Sequence, residues 1–154
     1  MVKLSENFSL QEYTKSQTAI RQGLDNTPNI VHMVSAEALF QNVVQPVRDN
    51  FGVTVINSGY RGPALNTAVG GSSNSQHCKG EAVDIECPGT GNYDVAKWID
   101  ENLDYDQLIL EFYTPGIPDS GWVHVSYNAE GNRNQSLTAM KEDGKTVYKP
   151  ELIQ

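Results

Sequence analysis

The sequence has few cysteines, few basic residues and no long apolar run, and each scarcity excludes a class of protein. Its 154 residues include two cysteines, Cys78 and Cys87. A single pair in a chain of this length is no disulfide framework, so we interpret both as buried small hydrophobic residues. No apolar run approaches the length of about 20 residues that spans a bilayer, so we expect no membrane partner. Residues 1–5 lack the apolar core of a signal peptide, which predicts synthesis in the cytoplasm without one.

Basic residues are outnumbered by acidic ones. The chain carries 11 lysines and arginines against 19 aspartates and glutamates, and its net charge is −8. Nucleic-acid binding requires a basic surface that neutralises phosphates, so we expect no nucleic-acid partner. We attribute the acidity to solubility.

The length and the hydrophobic fraction of 38% predict one globular domain over residues 1–154. The capping-box pair Ser9 and Glu12 predicts a short helix, and helically spaced apolar residues over 29–50 predict a longer one that Pro46 kinks. Stretches rich in β-branched or alternating apolar residues predict strands near 53–58, 81–86, 107–113 and 122–127, and a hairpin turn at 143–144. The expected fold is α+β, a small antiparallel sheet with helices packed on one side.

Three side chains of the types that bind zinc lie in two short stretches. His77 and Asp84 are seven positions apart, and His124 follows in an apolar stretch. Two imidazoles and one carboxylate are a ligand set of catalytic zinc, which keeps one position open for water. A lone histidine is more often a core or surface residue, and we interpret His32, in the first long helix, in that way.

Zinc hydrolases also need a carboxylate that takes the proton of the attacking water. Glu111 is the first candidate, because pairing of the strands across the loop 114–121 would place it roughly opposite His124. Glu86 and Asp119 are alternatives. Arg61, at a turn, could bind a substrate carboxylate, polarise a carbonyl or make a surface ion pair.

These motifs together resemble the signature of the zinc D-Ala-D-Ala carboxypeptidase family, which is grouped with lysostaphin-type peptidases and the hedgehog signalling domain. The resemblance runs from about Phe8 to Tyr148 and is strongest to short phage and bacterial members. The residues that carry it are Ser58-Gly59-Tyr60-Arg61, Ser75-x-His77-x-x-Gly80-x-Ala82-x-Asp84-Ile85 and Trp122-x-His124-x-Ser126.

The resemblance implies a hedgehog-like fold and a zinc ion held by His77, Asp84 and His124. It implies cleavage of peptide bonds in peptidoglycan stem peptides, by a carboxypeptidase or an endopeptidase, in a phage endolysin or a bacterial wall-remodelling enzyme. Such a protein is expected to be a monomer that reaches the periplasmic wall through a holin or on a virion. The implied substrate contacts are Arg61, Ser75, Trp122 and Ser126.

One position departs from the family pattern. Many members carry the catalytic glutamate three residues before the last zinc histidine, where this chain has Gly121. Either Glu111 serves as the base, or the protein is a non-catalytic zinc-binding virion or wall-binding module. A zinc hydrolase acting on a non-wall amide is a third reading.

Overall fold

The structure is a computed structural model that describes residues 2–154. A small hairpin and two short helices precede a long helical segment, and a six-stranded sheet follows. The elements are β1 (Lys3–Ser5), β2 (Phe8–Ser9), α1 (Leu10–Thr14), α2 (Gln17–Gln22), α3 (Ile30–Leu39), α4 (Gln45–Phe51), β3 (Val55–Ser58), α5 (Pro63–Ala68), β4 (Ala82–Glu86), α6 (Asn92–Asn102), β5 (Gln107–Glu111), β6 (Trp122–Ser126), β7 (Gln135–Glu142) and β8 (Lys145–Pro150).

The long helical segment contains the irregularity that its proline predicts. Between α3 and α4 lies a π turn, Phe40–Val44, in which the N–H of Gln45 donates to the carbonyl of Phe40. Pro46 follows in the first turn of α4. Proline has no N–H to donate and its ring crowds the preceding turn, so a widened turn directly before it is the expected accommodation.

The sheet has the strand order β3-β4-β6-β5-β7-β8, and its neighbours are antiparallel except for the parallel pair β5–β7. The α+β prediction is confirmed, and the parallel pair is an addition to the expected antiparallel sheet. It arises because the chain leaves β6, crosses the start of β5 and returns along the other side of that strand. The predicted turn at 143–144 is present, with φ of 52° at Asp143 and 76° at Gly144.

Alternation along the strands divides the sheet into a core face and an open face. Val83 and Ile85 of β4, like Val123 and Val125 of β6, are fully buried in the hydrophobic core, which includes Ile99 of α6. The residues that alternate with these along each strand point to the other face of the sheet. The polar residues between the buried ones therefore gather on the open face.

The two cysteines are both free thiols. Cys87 is buried as predicted, but Cys78 is only half-buried. Cys78 lies in the 3₁₀ turn Gln76–Lys79, which leaves its thiol partly exposed.

No helix within residues 2–154 is both long and apolar enough to cross a membrane.

Asp106 anchors the loop that crosses β5, and its removal should destabilise the fold in a pH-dependent way. The buried carboxylate of Asp106 accepts hydrogen bonds from the backbone N–H and the guanidinium of Arg133 at 2.9–3.0 Å, and one from Gln76 at 2.9 Å. The hydrogen bonds from Arg133 hold the pKa of Asp106 below the ordinary 3.8. A carboxyl group whose pKa is lowered by folding stabilises the folded state at pH values above its ordinary pKa. This stabilisation is lost as the pH falls through the lowered pKa.

We therefore expect Asp106→Asn to cost about 1–3 kcal/mol of unfolding free energy at pH 7, and less at pH 3. Urea denaturation at the two pH values measures this. Asp104→Asn, two residues away and exposed, is the matched control. An equal cost for Asp106→Asn at both pH values would contradict the prediction.

Candidate metal centre and active site

Three separate elements bring His77, Asp84 and His124 together on the open face. Asp84 of β4 pairs directly with His124 of β6, so their side chains leave the sheet on the same side. His77 comes from the 3₁₀ turn that Ser75 caps, where Ser75 Oγ accepts a hydrogen bond from the His77 N–H at 3.2 Å. One ligand atom from each of the three residues lies within 4.8 Å of the others.

The hydrogen bonds of the histidines suit a cation. His77 Nδ1 lies 2.8 Å from the carbonyl oxygen of Gly59, which can only accept, so Nδ1 carries a proton. The neutral ring then offers the lone pair of Nε2, which lies 3.4 Å from Asp84 Oδ1. His124 Nδ1 lies 2.9 Å from the same oxygen. Imidazole nitrogens and a carboxylate converging in this way, with the far nitrogen of His77 fixed by a backbone carbonyl, fit a zinc site.

The carboxylate of Asp84 remains ionised in this environment. Burial by itself would raise the pKa of Asp84, but the hydrogen bond from His124 outweighs it and holds the pKa far below its ordinary value. A metal ligand must be deprotonated, so the cluster presents its carboxylate in the binding form.

Glu111 lies on the same face, two residue pairs along β5 and β6 from His124. Ile109, not Glu111, pairs with His124, and Glu111 pairs with Trp122. The expectation that Glu111 lies opposite His124 is thus corrected to a diagonal position, where Cβ atoms are about 7 Å apart. The indole Nε1–H of Trp122 donates to Glu111 Oε2 at 2.7 Å and fixes the carboxylate. Burial raises the pKa of Glu111, and the negative charge of Asp84 adds to the effect.

The structure explains why position 121 carries glycine. Gly121 has a φ of 64°, and a Cβ there would meet the backbone of Glu111 and Phe112. No side chain fits without moving the strand that carries Glu111. A glutamate at position 121 would therefore be incompatible with the observed position of β5.

Three predicted substrate contacts line a cleft of about 1040 Å³ that includes the cluster and Glu111: Arg61, Ser75 and Trp122. The Arg61 N–H donates to the His77 carbonyl at 3.1 Å, which holds the residue beside the cluster. Its Nε is buried and has no hydrogen-bond partner within residues 2–154. Arg61 makes none of the ion pairs described for these residues, so its charge is available to a ligand.

Ser126, the fourth predicted substrate contact, is not brought to the cleft. Its side chain is fully buried, and Oγ accepts the N–H of Gln107 at 3.0 Å.

Glu86 does not line the cleft either, and its carboxylate accepts from Asn57 at 2.6 Å and Asn92 at 3.2 Å. Asp119 is exposed in the loop between β5 and β6. Of the three candidate bases, only Glu111 faces the cluster.

His32 lies outside the cluster and contacts the Tyr60 hydroxyl at 2.9 Å.

Sequence reasoning missed Asp106 and Gln76, which brace the turn that carries His77, and Tyr148, which lines the cleft. A signal for Tyr148 in the sequence is its place in the stretch 146–148, shortly after the turn at 143–144.

The comparison with known families agrees with this geometry. A family model described as Peptidase M15 matches residues 6–126, which include all three cluster residues and Glu111. The chain belongs to the peptidase M15 family. No curated protein gave a significant match. M15 peptidases are typically zinc-dependent, so membership and the cluster together indicate a metallopeptidase.

The pKa of Glu111 should respond in opposite directions to two substitutions. Trp122→Phe removes a hydrogen bond that favours the ionised carboxylate, so the pKa of Glu111 should rise further above the 4.5 of an ordinary glutamate. Asp84→Asn removes a neighbouring negative charge, so the pKa should fall. Carboxyl-carbon NMR titration of the metal-free proteins measures both shifts. Shifts of the same sign would show that the environment of Glu111 is not the one described.

Proposed function

We propose that the protein is a zinc-dependent peptidase that hydrolyses peptide bonds in peptidoglycan stem peptides. The observation that carries the proposal is the position of Glu111. A carboxylate held by Trp122 lies beside a three-ligand cluster within one cleft. This arrangement supplies a general base although position 121 cannot.

His77, Asp84 and His124 are the residues that would hold zinc. When bound, zinc supplies Lewis acidity that activates water and polarises the peptide carbonyl. The chain orients these ligands through its own hydrogen bonds, above all that from His77 Nδ1 to the Gly59 carbonyl. This bond fixes the ring and directs the unprotonated nitrogen towards the cleft.

Glu111 moves the proton. Water adds to the carbonyl carbon and gives a proton to Glu111, which returns it to the amide nitrogen as the carbon–nitrogen bond breaks. Because Oε2 accepts from Trp122, Oε1 is the oxygen that takes the proton. The raised pKa of Glu111 suits this role, since it brings the proton affinity of the base closer to neutral pH.

Arg61 and Ser75 bind the substrate in this proposal. The unpartnered Nε of Arg61 and the charge of its guanidinium suit a peptide carboxylate or the developing charge on the carbonyl oxygen. Ser75 Oγ accepts from the His77 N–H and keeps its own proton to donate.

The proposed setting is the bacterial cell wall, where the protein acts as a monomer in phage lysis or wall remodelling. Delivery would be through a holin or on a virion. The net charge of −8 supports the absence of nucleic acid from this role.

Glu111→Gln should slow hydrolysis strongly and leave zinc bound. The amide keeps the shape and can still accept from Trp122 through its oxygen, but it cannot take a proton, so we expect kcat to fall by about 10²- to 10⁴-fold. Purified peptidoglycan is digested with each zinc-loaded protein, and mass spectrometry of the products identifies the bond cut.

Three outcomes would distinguish the alternative hypotheses about the function. Equal cutting by wild type and Glu111→Gln would place the base elsewhere. Bound zinc with no product from wild type would favour the non-catalytic virion or wall-binding module. Faster turnover of small non-wall amides than of wall peptides would favour a zinc hydrolase that acts on a non-wall amide.

His124→Ala should remove the metal, because it leaves only two of the three ligands. We expect zinc affinity to fall by more than about 100-fold, beyond the loss typical of an outer-sphere partner. Competition with a chromophoric chelator measures the affinity. His32→Ala is the control, since His32 contacts Tyr60 and not the cluster, and unchanged affinity in His124→Ala would exclude the assigned ligand set.

A further inference from the structure

The C-terminal hairpin places an aromatic side chain in the cleft from outside the family match. The match ends at residue 126, whereas β7 and β8 follow it and extend the sheet through the parallel pair with β5. Tyr148 of β8 lines the same cleft as Glu111, Trp122 and His124.

The register of the sheet puts Tyr148 in one straight row with the base. Tyr148 pairs with Ala139, Ala139 with Glu111, and Glu111 with Trp122. Residues paired in this way point to the same face of the sheet. Alanine projects only a methyl group, so no side chain of β7 separates the Tyr148 ring from Glu111.

Tyr148 is 53% exposed, although the other side chains of this row are buried or half-buried. A single exposed aromatic residue needs no explanation by its exposure alone. Here the exposed ring lines a cleft that also contains Glu111 and the candidate ligands, so a substrate in the cleft can cover its apolar surface.

The position of Arg61 indicates which part of a substrate reaches Tyr148. Arg61 follows β3 at one edge of the sheet, and Tyr148 lies on β8 at the other edge. If Arg61 binds the carboxylate at the C-terminal end of a peptide, the N-terminal part extends across β5 and β7 towards β8. The three strand spacings from β6 to β8 amount to about 14 Å, the length of about four extended residues.

We propose that Tyr148 is a specificity-determining residue that packs against the substrate about two to four residues on the N-terminal side of the scissile bond. This inference rests on the proposed peptidase function. The inference predicts that the hairpin β7–β8, which lies beyond the family match, gives the enzyme a preference for longer peptides. This preference does not depend on the metal or on the base.

The test uses two synthetic peptides that span the bond identified by the digestion of peptidoglycan. Both have the same C-terminal part, but one keeps four residues on the N-terminal side of the bond and the other keeps one. For the longer peptide we expect Tyr148→Ala to raise KM by roughly fivefold to tenfold with little change in kcat, and Tyr148→Phe to retain most of the binding. For the shorter peptide, Tyr148→Ala should behave as wild type.

Thr146→Ala is the matched control, because Thr146 lies on the same face of β8, two residues away, and does not line the cleft. Equal effects of Tyr148→Ala on both peptides, or none on either, would overturn the inference and leave the peptidase function standing. Failure of wild type to release any product in the preceding digestion of peptidoglycan would overturn both.

Discussion

The direct pairing of Asp84 with His124 is the constraint on which the site depends. Side chains alternate strictly along a strand, so a slip of one residue between β4 and β6 would send one of the two into the core. The register is protected because Val83, Ile85, Val123 and Val125 are fully buried on the other face. The hydrophobic core on one face thus fixes the pairing of two candidate metal ligands on the other face.

The third ligand depends on backbone that lies close to other backbone. Gly59 supplies the carbonyl that orients His77, and a Cβ at Gly59 would meet the carbonyl of Tyr13 in α1. Gly80 ends the 3₁₀ turn with a φ of 73°, and a Cβ there would meet the carbonyl of His32 in α3. Both glycines allow the turn that carries His77 to sit against the N-terminal helices. The front third of the chain therefore has a role at the site although it donates no ligand.

The position of Glu111, the proposed base, shows how a carboxylate can be supplied to the cluster from a neighbouring strand. Gly121 brings the loop after β5 against the backbone of Glu111, which excludes a side chain at 121. The same close approach places Trp122 directly opposite Glu111, where the indole can hold the carboxylate. The departure from the family pattern at 121 and the interaction that orients Glu111 have one geometric cause.

The features that were predictable from the sequence are those that short-range interactions control. The capping box at Ser9 and Glu12, the irregularity before Pro46, the turn at 143–144 and the burial of alternate strand residues follow from local hydrogen bonding, ring geometry and hydrophobicity. The types of the cluster residues also pointed to zinc before any geometry was known. Long-range packing sets the features that the sequence did not predict: the pairing of Glu111 with Trp122, the parallel pair β5–β7, the burial of Ser126 and the position of Tyr148 in the cleft. These depend on which distant segments lie side by side, and register across a long loop is set by the packing of the whole sheet rather than by the residues of either strand.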